Sequence, residues 1–465
     1  MAQCFDVGSS SAPTNIAIVK YWGKDVARGG NTPINSSCSL TLDPEDLRAE
    51  TVIVASPAFE ADELYLNGKK ADTTGESTHA KRLRLCLATM REKCRTLPPN
   101  STARDVDELK RWKVRVASRN TFPTAAGLAS SAAGYAALVV AAAQLYGIDE
   151  SFPGELSTVA RRGSGSACRS LHGGLVAWRK GGAAKQQEGD DAAAKKQEEE
   201  EEDSKAEQFF DEGYWPELRV IVLVANANEK ETPSADGMQQ SVATSPFLSY
   251  RAASVAEPRV EALRSAFERK DFDEFAELCA RDSNSFHAVC LDTYPPIFYL
   301  DNTSRAVVKA VHAFNAFHGE TRVTYTFDAG PNAVIFCKTP DTADTFAALA
   351  ATLFLQENLC NRPDHLARCM QQRPPAPALV DACGGARHLG ADVKMIYLTR
   401  VGRGAVSPLP NDAIAALIDL KTLEPMQLTT EKPKKKMPLS TKTLIAVGSV
   451  LLFSLVLTVT ARRPG

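Results

Sequence analysis

Among its 465 residues this sequence has no paired-cysteine motif, no P-loop, no dinucleotide fingerprint and almost no net charge. Its eleven cysteines are scattered, without close pairs, CxxC motifs or an accompanying histidine spacing. Neither a disulfide framework nor a Cys/His metal centre is expected from that pattern, and the thiols read as reduced and cytosolic. No N-terminal signal sequence precedes them, so no secretory route is expected. A formal net charge of -2 gives no electrostatic reason to expect nucleic acid as a partner. What the chain does have is apolar material: 44% hydrophobic against 24% charged residues is enough to bury a full core, and the length suits two lobes.

Two segments stand apart from that core. From Lys180 to Gln208 the chain is dominated by Lys, Glu, Gln, Asp and Ala, which cannot bury enough apolar surface to order itself. Strand-like sequence on both sides, Gly174 to Trp178 and Leu218 to Val224, makes it a solvated hairpin insertion rather than a domain linker. The second is Thr443 to Ala461, 19 consecutive uncharged and mostly apolar residues. As a helix it would rise about 28 Å, close to the hydrocarbon thickness of a bilayer. It follows a basic stretch containing Lys432, Lys434, Lys435, Lys436 and Lys442, and reads as a transmembrane tail anchor with the body of the protein on the cytosolic side.

The strongest local signal lies between Phe122 and Leu138, FPTAAGLASSAAGYAAL, where a small-residue loop precedes a helical pattern. Gly127 and the alanines beside it let backbone approach an anion, towards which helix-start N–H groups and the hydroxyls of Ser130 and Ser131 point. Close helix packing would produce the same composition. Asn15 to Lys24, NIAIVKYWGK, reads as a strand ending in Lys20, Tyr21, Trp22 and Lys24, suited to hold phosphate beside an aromatic wall, or equally an ordinary edge strand. PINSSCSLTL from Pro33 alternates as a half-buried strand does, and Asn67-Gly68 marks a hairpin. From Thr78 to Arg95 the period turns helical, with Leu83, Leu87 and Met90 on one face and Arg82 beside them. RRGSGSACRS sets Ser164, Ser166 and Arg169 on a glycine-rich turn, where a guanidinium suits a carboxylate or phosphate. Asp328 interrupts the apolar run YTFDAGPNAVIF, either as a turn cap or as a general base facing a cation.

In this order these motifs, with SADGMQQSVATS from Ser234 and HAVCLDTYPPIFYL from His287, resemble the mevalonate diphosphate decarboxylases of the GHMP kinase superfamily. The resemblance covers roughly Ala12 to Leu420. It implies an α+β, two-lobed GHMP kinase fold: a ribosomal protein S5 domain 2-like N-terminal lobe (1–179), the acidic insertion (180–208), a ferredoxin-like C-terminal lobe (209–425), a basic linker (426–442) and the membrane helix (443–461). It implies ATP and Mg2+ as cofactors, mevalonate 5-diphosphate as substrate and isopentenyl diphosphate as product. By similarity Asp328 is the base, Lys20 its ionising neighbour, Arg169 the grip on the substrate carboxylate, and Asn15 a neighbour of the reacting groups. Tyr21, Trp22, Ser164 and Ser166 match substrate-pocket positions, and Lys24 and Arg82 diphosphate-binding ones. Ala125, Ala126, Gly127, Ser130 and Ser131 match the ATP loop, Ser131 also the metal, while Lys230 and Ser234 match a segment over the nucleotide. Asp236 departs from the pattern there, so closure over the nucleotide or ATP affinity is expected to differ. Family members are commonly homodimers. The anchor is an addition to that pattern and implies an intracellular membrane, the endoplasmic reticulum first. Another GHMP kinase that only phosphorylates, or a catalytically silent membrane-tethered scaffold, are the rival readings.

Overall fold

The computed structural model describes residues 4–29, 31–122, 130–181, 203–225, 231–356, 359–385 and 392–427. The N-terminal half runs β1 (Asp6–Pro13), β2 (Asn15–Val19), β3 (Ser37–Thr41), β4 (Arg48–Ser56), β5 (Glu63–Leu66), β6 (Lys69–Ala71), α1 (Thr78–Lys93), α2 (Val106–Arg111), β7 (Lys113–Asn120), α3 (Ser130–Tyr146), α4 (Glu155–Gly163), a 3-10 helix (Gly165–Leu171), β8 (Leu175–Trp178) and β9 (Ala206–Phe210). After it come β10 (Arg219–Val224), α5 (Ser234–Thr244), α6 (Ala256–Glu268), α7 (Phe272–Asp292), α8 (Asn302–His318), β11 (Val323–Phe327), β12 (Ala333–Cys337), α9 (Pro340–Phe354), α10 (Pro363–Gln372) and β13 (Met395–Arg400).

Three main sheets result. The first has the order β1-β4-β7-β5-β6, antiparallel except where β5 runs parallel to β7. Asn67 and Gly68 both take positive φ in the β5–β6 turn, as an Asn-Gly hairpin requires. Helices α1 and α3 cover one face of this sheet, with Leu83, Leu87 and Met90 in the shared core. Contact between α3 and β1 is so close that a Cβ on Gly8 would stand 2.0 Å from the carbonyl oxygen of Ala141, which excludes any other residue at that point. The second sheet is β2-β3-β8-β9, and the third, wholly antiparallel, is β11-β12-β10-β13.

Alternation along β10 shows how the halves join. Val220, Val222 and Val224 share a core with α6, α7 and residues of the second sheet such as Ile16, Ile18 and Leu40. Ile221 and Leu223 point to the opposite core, with α8, α9 and α10. One strand with period-2 alternation thus supplies both faces.

Three expectations change. β3 is buried on both faces rather than half-buried, because its hydroxyl residues Ser37, Ser39 and Thr41 face a polar interior. The strand pairing back on β8 is β9, which begins inside the stretch expected to be insertion; 182–202 lies outside the described residues. The transmembrane helix and the tail-anchored location are also corrected. Among the described residues no helix is long and apolar enough to cross a membrane, and 443–461, where that helix was expected, lies outside them. The most uniformly apolar helix described, α3, is 17 residues long, and packing against β1, β4, α4 and the 3-10 helix accounts for its apolarity.

Candidate active site

Lys20 leaves the end of β2, just past a register shift between Ala17 and Val19, and lies only 2% exposed. Its ammonium donates to the Ala17 carbonyl at 2.6 Å and to Asp328 Oδ1 at 2.7 Å. Asp328 is mounted directly after β11, in the turn to β12, with its side chain 36% exposed. A carboxylate and a cation brought from the two halves of the chain therefore meet at a surface opening.

Behind Lys20 stands Asp282 of α7, fully buried. It accepts the Lys20 backbone N–H at 2.8 Å, two guanidinium hydrogens of Arg251 at 2.8 and 2.9 Å, and one of Arg259 at 2.9 Å. Burial alone would raise the Asp282 carboxyl; Arg251 and its companions outweigh that and hold it below the usual range. Removing one partner of such a buried network strands the rest, so Asp282→Asn should cost about 3–5 kcal/mol in urea unfolding at neutral pH. Because the folded carboxyl is depressed, that contribution is present above the unfolded carboxylate range and lost as pH falls below it. An Asp282→Asn protein as stable as the parent at neutral pH would show that the network does not anchor Lys20. One turn further along α7, His287 is 7% exposed and held neutral, its pKa pushed to about 3 by burial and then by Lys20.

Arg169 comes from the 3-10 helix and is 2% exposed. Its Nε donates to Ser39 Oγ at 3.0 Å and its Nη1 to Ser37 Oγ at 2.7 Å, while its guanidinium carbon lies 5.7 Å from the centre of the Trp178 ring. The alternation of β3 that brings Ser37 and Ser39 onto one face builds this cradle. Both hydroxyls are neutral, and among the described residues Arg169 has no acidic partner. A buried guanidinium with neutral partners is chemically suited to an anion. Beside it a Cβ on Gly165 would fall 2.8 Å from the Tyr21 ring and 2.9 Å from Trp178, so only glycine lets this turn approach. The Tyr21 hydroxyl is buried without a partner among the described residues, and burial pushes its pKa up. Asn15 donates to the Ser166 carbonyl at 3.1 Å and Ser170 Oγ at 2.8 Å, leaving its own oxygen unpartnered.

These groups surround a cleft of ≈ 300 Å³ lined by Lys20, Tyr21, Trp22, Lys24, Arg82, Ser131, Ser164, Ser166, Arg169, Ser234 and Asp328. Its wall carries four cations and one carboxylate, an excess of positive charge suited to a polyanion. Lys24 is pushed down to about 8, by burial first and then by Arg82. Trp22 is fixed by its indole N–H on Ser241 Oγ at 2.9 Å and by edge contacts with Phe286 and Tyr299. At the start of α3, Ser131 lies 3.3 Å from Ser164, hydroxyl to hydroxyl. It also lines a second cavity of ≈ 180 Å³, shared with Ser130, Asn67, Ser118, Asn120 and Tyr135. The two spaces meet at a helix N-terminus.

The mevalonate 5-diphosphate decarboxylase C-terminal domain profile matches residues 220–407, and the diphosphomevalonate decarboxylase-like N-terminal domain profile matches 12–194. The chain is 42% identical to the diphosphomevalonate decarboxylase of Eremothecium gossypii, over 90% of this chain and 98% of that one. It is 44% identical to the human diphosphomevalonate decarboxylase, over 85% and 92%. This chain belongs to the diphosphomevalonate decarboxylase family. Solved structures agree: the mevalonate diphosphate decarboxylase of Trypanosoma brucei superposes with a TM-score of 0.73 at 31% identity, covering 87% of this chain and 99% of that one. A family structure described as in complex with MVAPP, AMPPCP and magnesium gives 0.62 at 27%, over 87% and 99%.

Of the residues singled out in the sequence, eleven line the cleft, Ser130 lines the adjoining cavity, and Asn15 stands behind Ser166 without lining either. Ala125, Ala126, Gly127 and Lys230 lie outside the described residues. Asp236 is exposed on α5 and does not line the cleft. Missed were Asp282, Arg251, Ser37, Ser39 and His287. The Ser-x-Ser of β3 was a readable sign of a hydroxyl face; Asp282 inside a helical period offered none.

Proposed function

We infer that this protein catalyses the ATP-dependent decarboxylation of mevalonate 5-diphosphate to isopentenyl diphosphate, with release of ADP, phosphate and CO2. The observation that carries the reading is Arg169, buried without an acidic partner among the described residues, in the same cleft as the Lys20–Asp328 pair. A substrate with a carboxylate at one end and a diphosphate at the other answers both that orphaned charge and the cationic wall.

Each residue then has a task. Asp328 takes the proton of the tertiary 3-hydroxyl, and Lys20 keeps it ionised and faces the charge that develops beside it. Arg169 grips the carboxylate in a fork oriented by Ser37 and Ser39, while Asn15 holds the Ser166 turn. Lys24 and Arg82 hold the diphosphate, and Tyr21, Trp22, Ser164 and Ser166 close the pocket around the carbon chain. ATP with Mg2+, when bound, supplies the phosphoryl group that makes the tertiary hydroxyl a leaving group. Ser130 and Ser131, hard oxygen donors at the junction of the two cavities, suit its phosphates and metal, and Ser234 faces them from α5. Departure of CO2 leaves the electron pair that becomes the new double bond.

Carboxyl-labelled mevalonate 5-diphosphate with Mg-ATP tests the reading. Equal amounts of CO2, ADP and phosphate are expected; ADP without CO2 would identify a kinase of the same fold. A pH profile adds a check on Lys24. Above pH 8 the free protein loses that proton, and binding a diphosphate must recover it, so KM for mevalonate 5-diphosphate should climb as pH rises past about 8. Lys24→Met should raise KM at neutral pH and flatten that climb; a climb unchanged in the variant would assign it elsewhere.

Self-association belongs to the same proposal. Val242, Phe247, Tyr250, Leu291, Tyr294 and Phe298 are all exposed, and hydrogen bonds from Tyr294 to Thr244 and from Phe247 to Asp292 tie their segments together. An apolar surface of this kind supports a homodimer. Light scattering on the eluted protein should give twice the chain mass, and a strict monomer at micromolar concentration would overturn it.

A further inference from the structure

On the far side of the third sheet from the cleft, α9 and α10 pack against each other over the core that holds Ile221 and Leu223. Asp344 of α9 faces His365 and Cys369 of α10. A separation of four residues stacks the histidine and the cysteine one turn apart on a single helix face. His365 Nε2 stands 2.8 Å from Asp344 Oδ1, and the three ligand-type atoms all lie within 4.8 Å of one another. Arg373, immediately after α10, is paired with Asp341 of α9, an independent tie between the same helices, so the trio is assembled without help from an ion.

We propose that Asp344, His365 and Cys369 form a transition-metal site that takes a Zn2+-class divalent ion. Thiolate, imidazole and carboxylate make a donor set of borderline softness, which suits Zn2+ or Co2+ and not Mg2+, whose preference is for oxygen alone. Cys369 is buried at 4% exposure, whereas His365 and Asp344 are 39% and 29% exposed. The sulfur thus anchors the ion from the core side, and the open side leaves the fourth tetrahedral position to water. On binding, Cys369 gives up its thiol proton to solvent, the Nε2 proton of His365 passes through solvent to Nδ1, and the His365–Asp344 hydrogen bond is exchanged for two metal bonds; no electron is transferred. The ion would clamp α9 to α10 on a face that takes no part in the proposed chemistry, and the inference does not depend on that chemistry.

Co2+ titration of the full-length, reduced, chelator-treated protein is the test, run with excess Mg2+ present throughout. One equivalent should produce thiolate-to-cobalt absorption together with visible bands of tetrahedral intensity, and Zn2+ should displace both. Cys369→Ala should abolish the thiolate band, and His365→Ala should weaken binding by about ten-fold or more. Zn2+ should raise the unfolding temperature of the parent and not of Cys369→Ala. Absence of the bands at a several-fold excess of Co2+, or a thiolate band that persists in Cys369→Ala and so belongs to another cysteine, would overturn the proposal. If Cys369→Ala misfolds, His365→Ala and Asp344→Asn decide, since both alter partly exposed groups: undiminished cobalt absorption in those two refutes the site.

Discussion

Asp328→Asn should lower turnover by about three powers of ten, within the range by which a positioned base accelerates a reaction, and should leave the fold intact. The substitution is nearly isosteric. An amide oxygen can still accept from Lys20 Nζ, and the side chain is exposed enough for water to relieve the altered charge balance. What disappears is the capacity to take a proton. Binding of mevalonate 5-diphosphate should persist, because the cations proposed to hold it, Lys24, Arg82 and Arg169, are untouched. The experiment is a single-turnover assay of ADP and CO2 beside a thermal melt. Near-normal rates in a folded variant would remove Asp328 from the role of base, whereas loss of ADP and CO2 together would place the defect at phosphoryl transfer or before it.

Replacing Arg169 separates activity from stability in the opposite sense. Arg169→Met keeps the length and apolar stem of the side chain, still able to lie against Trp178, and deletes a buried charge whose polar partners among the described residues are serine hydroxyls. Two hydroxyls are left without their donor, a cost of about 1–3 kcal/mol each at most, since Ser and Thr hydroxyls can turn to other acceptors. Against this stands the desolvation penalty of an ion without a counter-ion, several kcal/mol. The unfolding temperature of the ligand-free variant should therefore be equal to or above that of the parent, while CO2 release falls by about two to three powers of ten as the transition-state electrostatics are lost. Mevalonate 5-diphosphate should stabilise the parent and give the variant much less. Arg169→Lys should recover little, because a point charge cannot reproduce the fork over Ser37 and Ser39. A variant that melts well below the parent would mean that the guanidinium supports the fold itself.

Local chemistry in this sequence was legible, and distant pairing was not. Asn67-Gly68 announces its turn because two adjacent residues must both take positive φ. The face of α1 containing Leu83, Leu87 and Met90 follows from helical period alone. Asp328 could be seen as an anomaly in an apolar run, and resemblance to the family assigned it a role; its hydrogen bond to Lys20 spans 308 residues of sequence, a distance that no periodicity encodes. Asp282 was hidden for the same reason, since its link to the Lys20 backbone spans 262 residues. The alternation from Pro33 gave the strand but misplaced its polar face, because hydroxyls that normally meet water here meet Arg169. The grouping of His365 and Cys369 with Asp344 is likewise invisible along the chain, since Asp344 reaches them only through the packing of α9 on α10.

The second sheet, with β2 at its edge and β3 inside, shares one core with α6 and α7, and this has a consequence for how the molecule is made and broken. Each half has a core of its own and adds a face to this shared one, so separately expressed each would present that apolar face to solvent. Docking of the halves is therefore part of folding, and the Lys20–Asp328 pair is in place without a ligand. Heat should take away the catalytic alignment and the tertiary structure at one temperature. Transplanting one half from a divergent relative would require its matching partner to come with it.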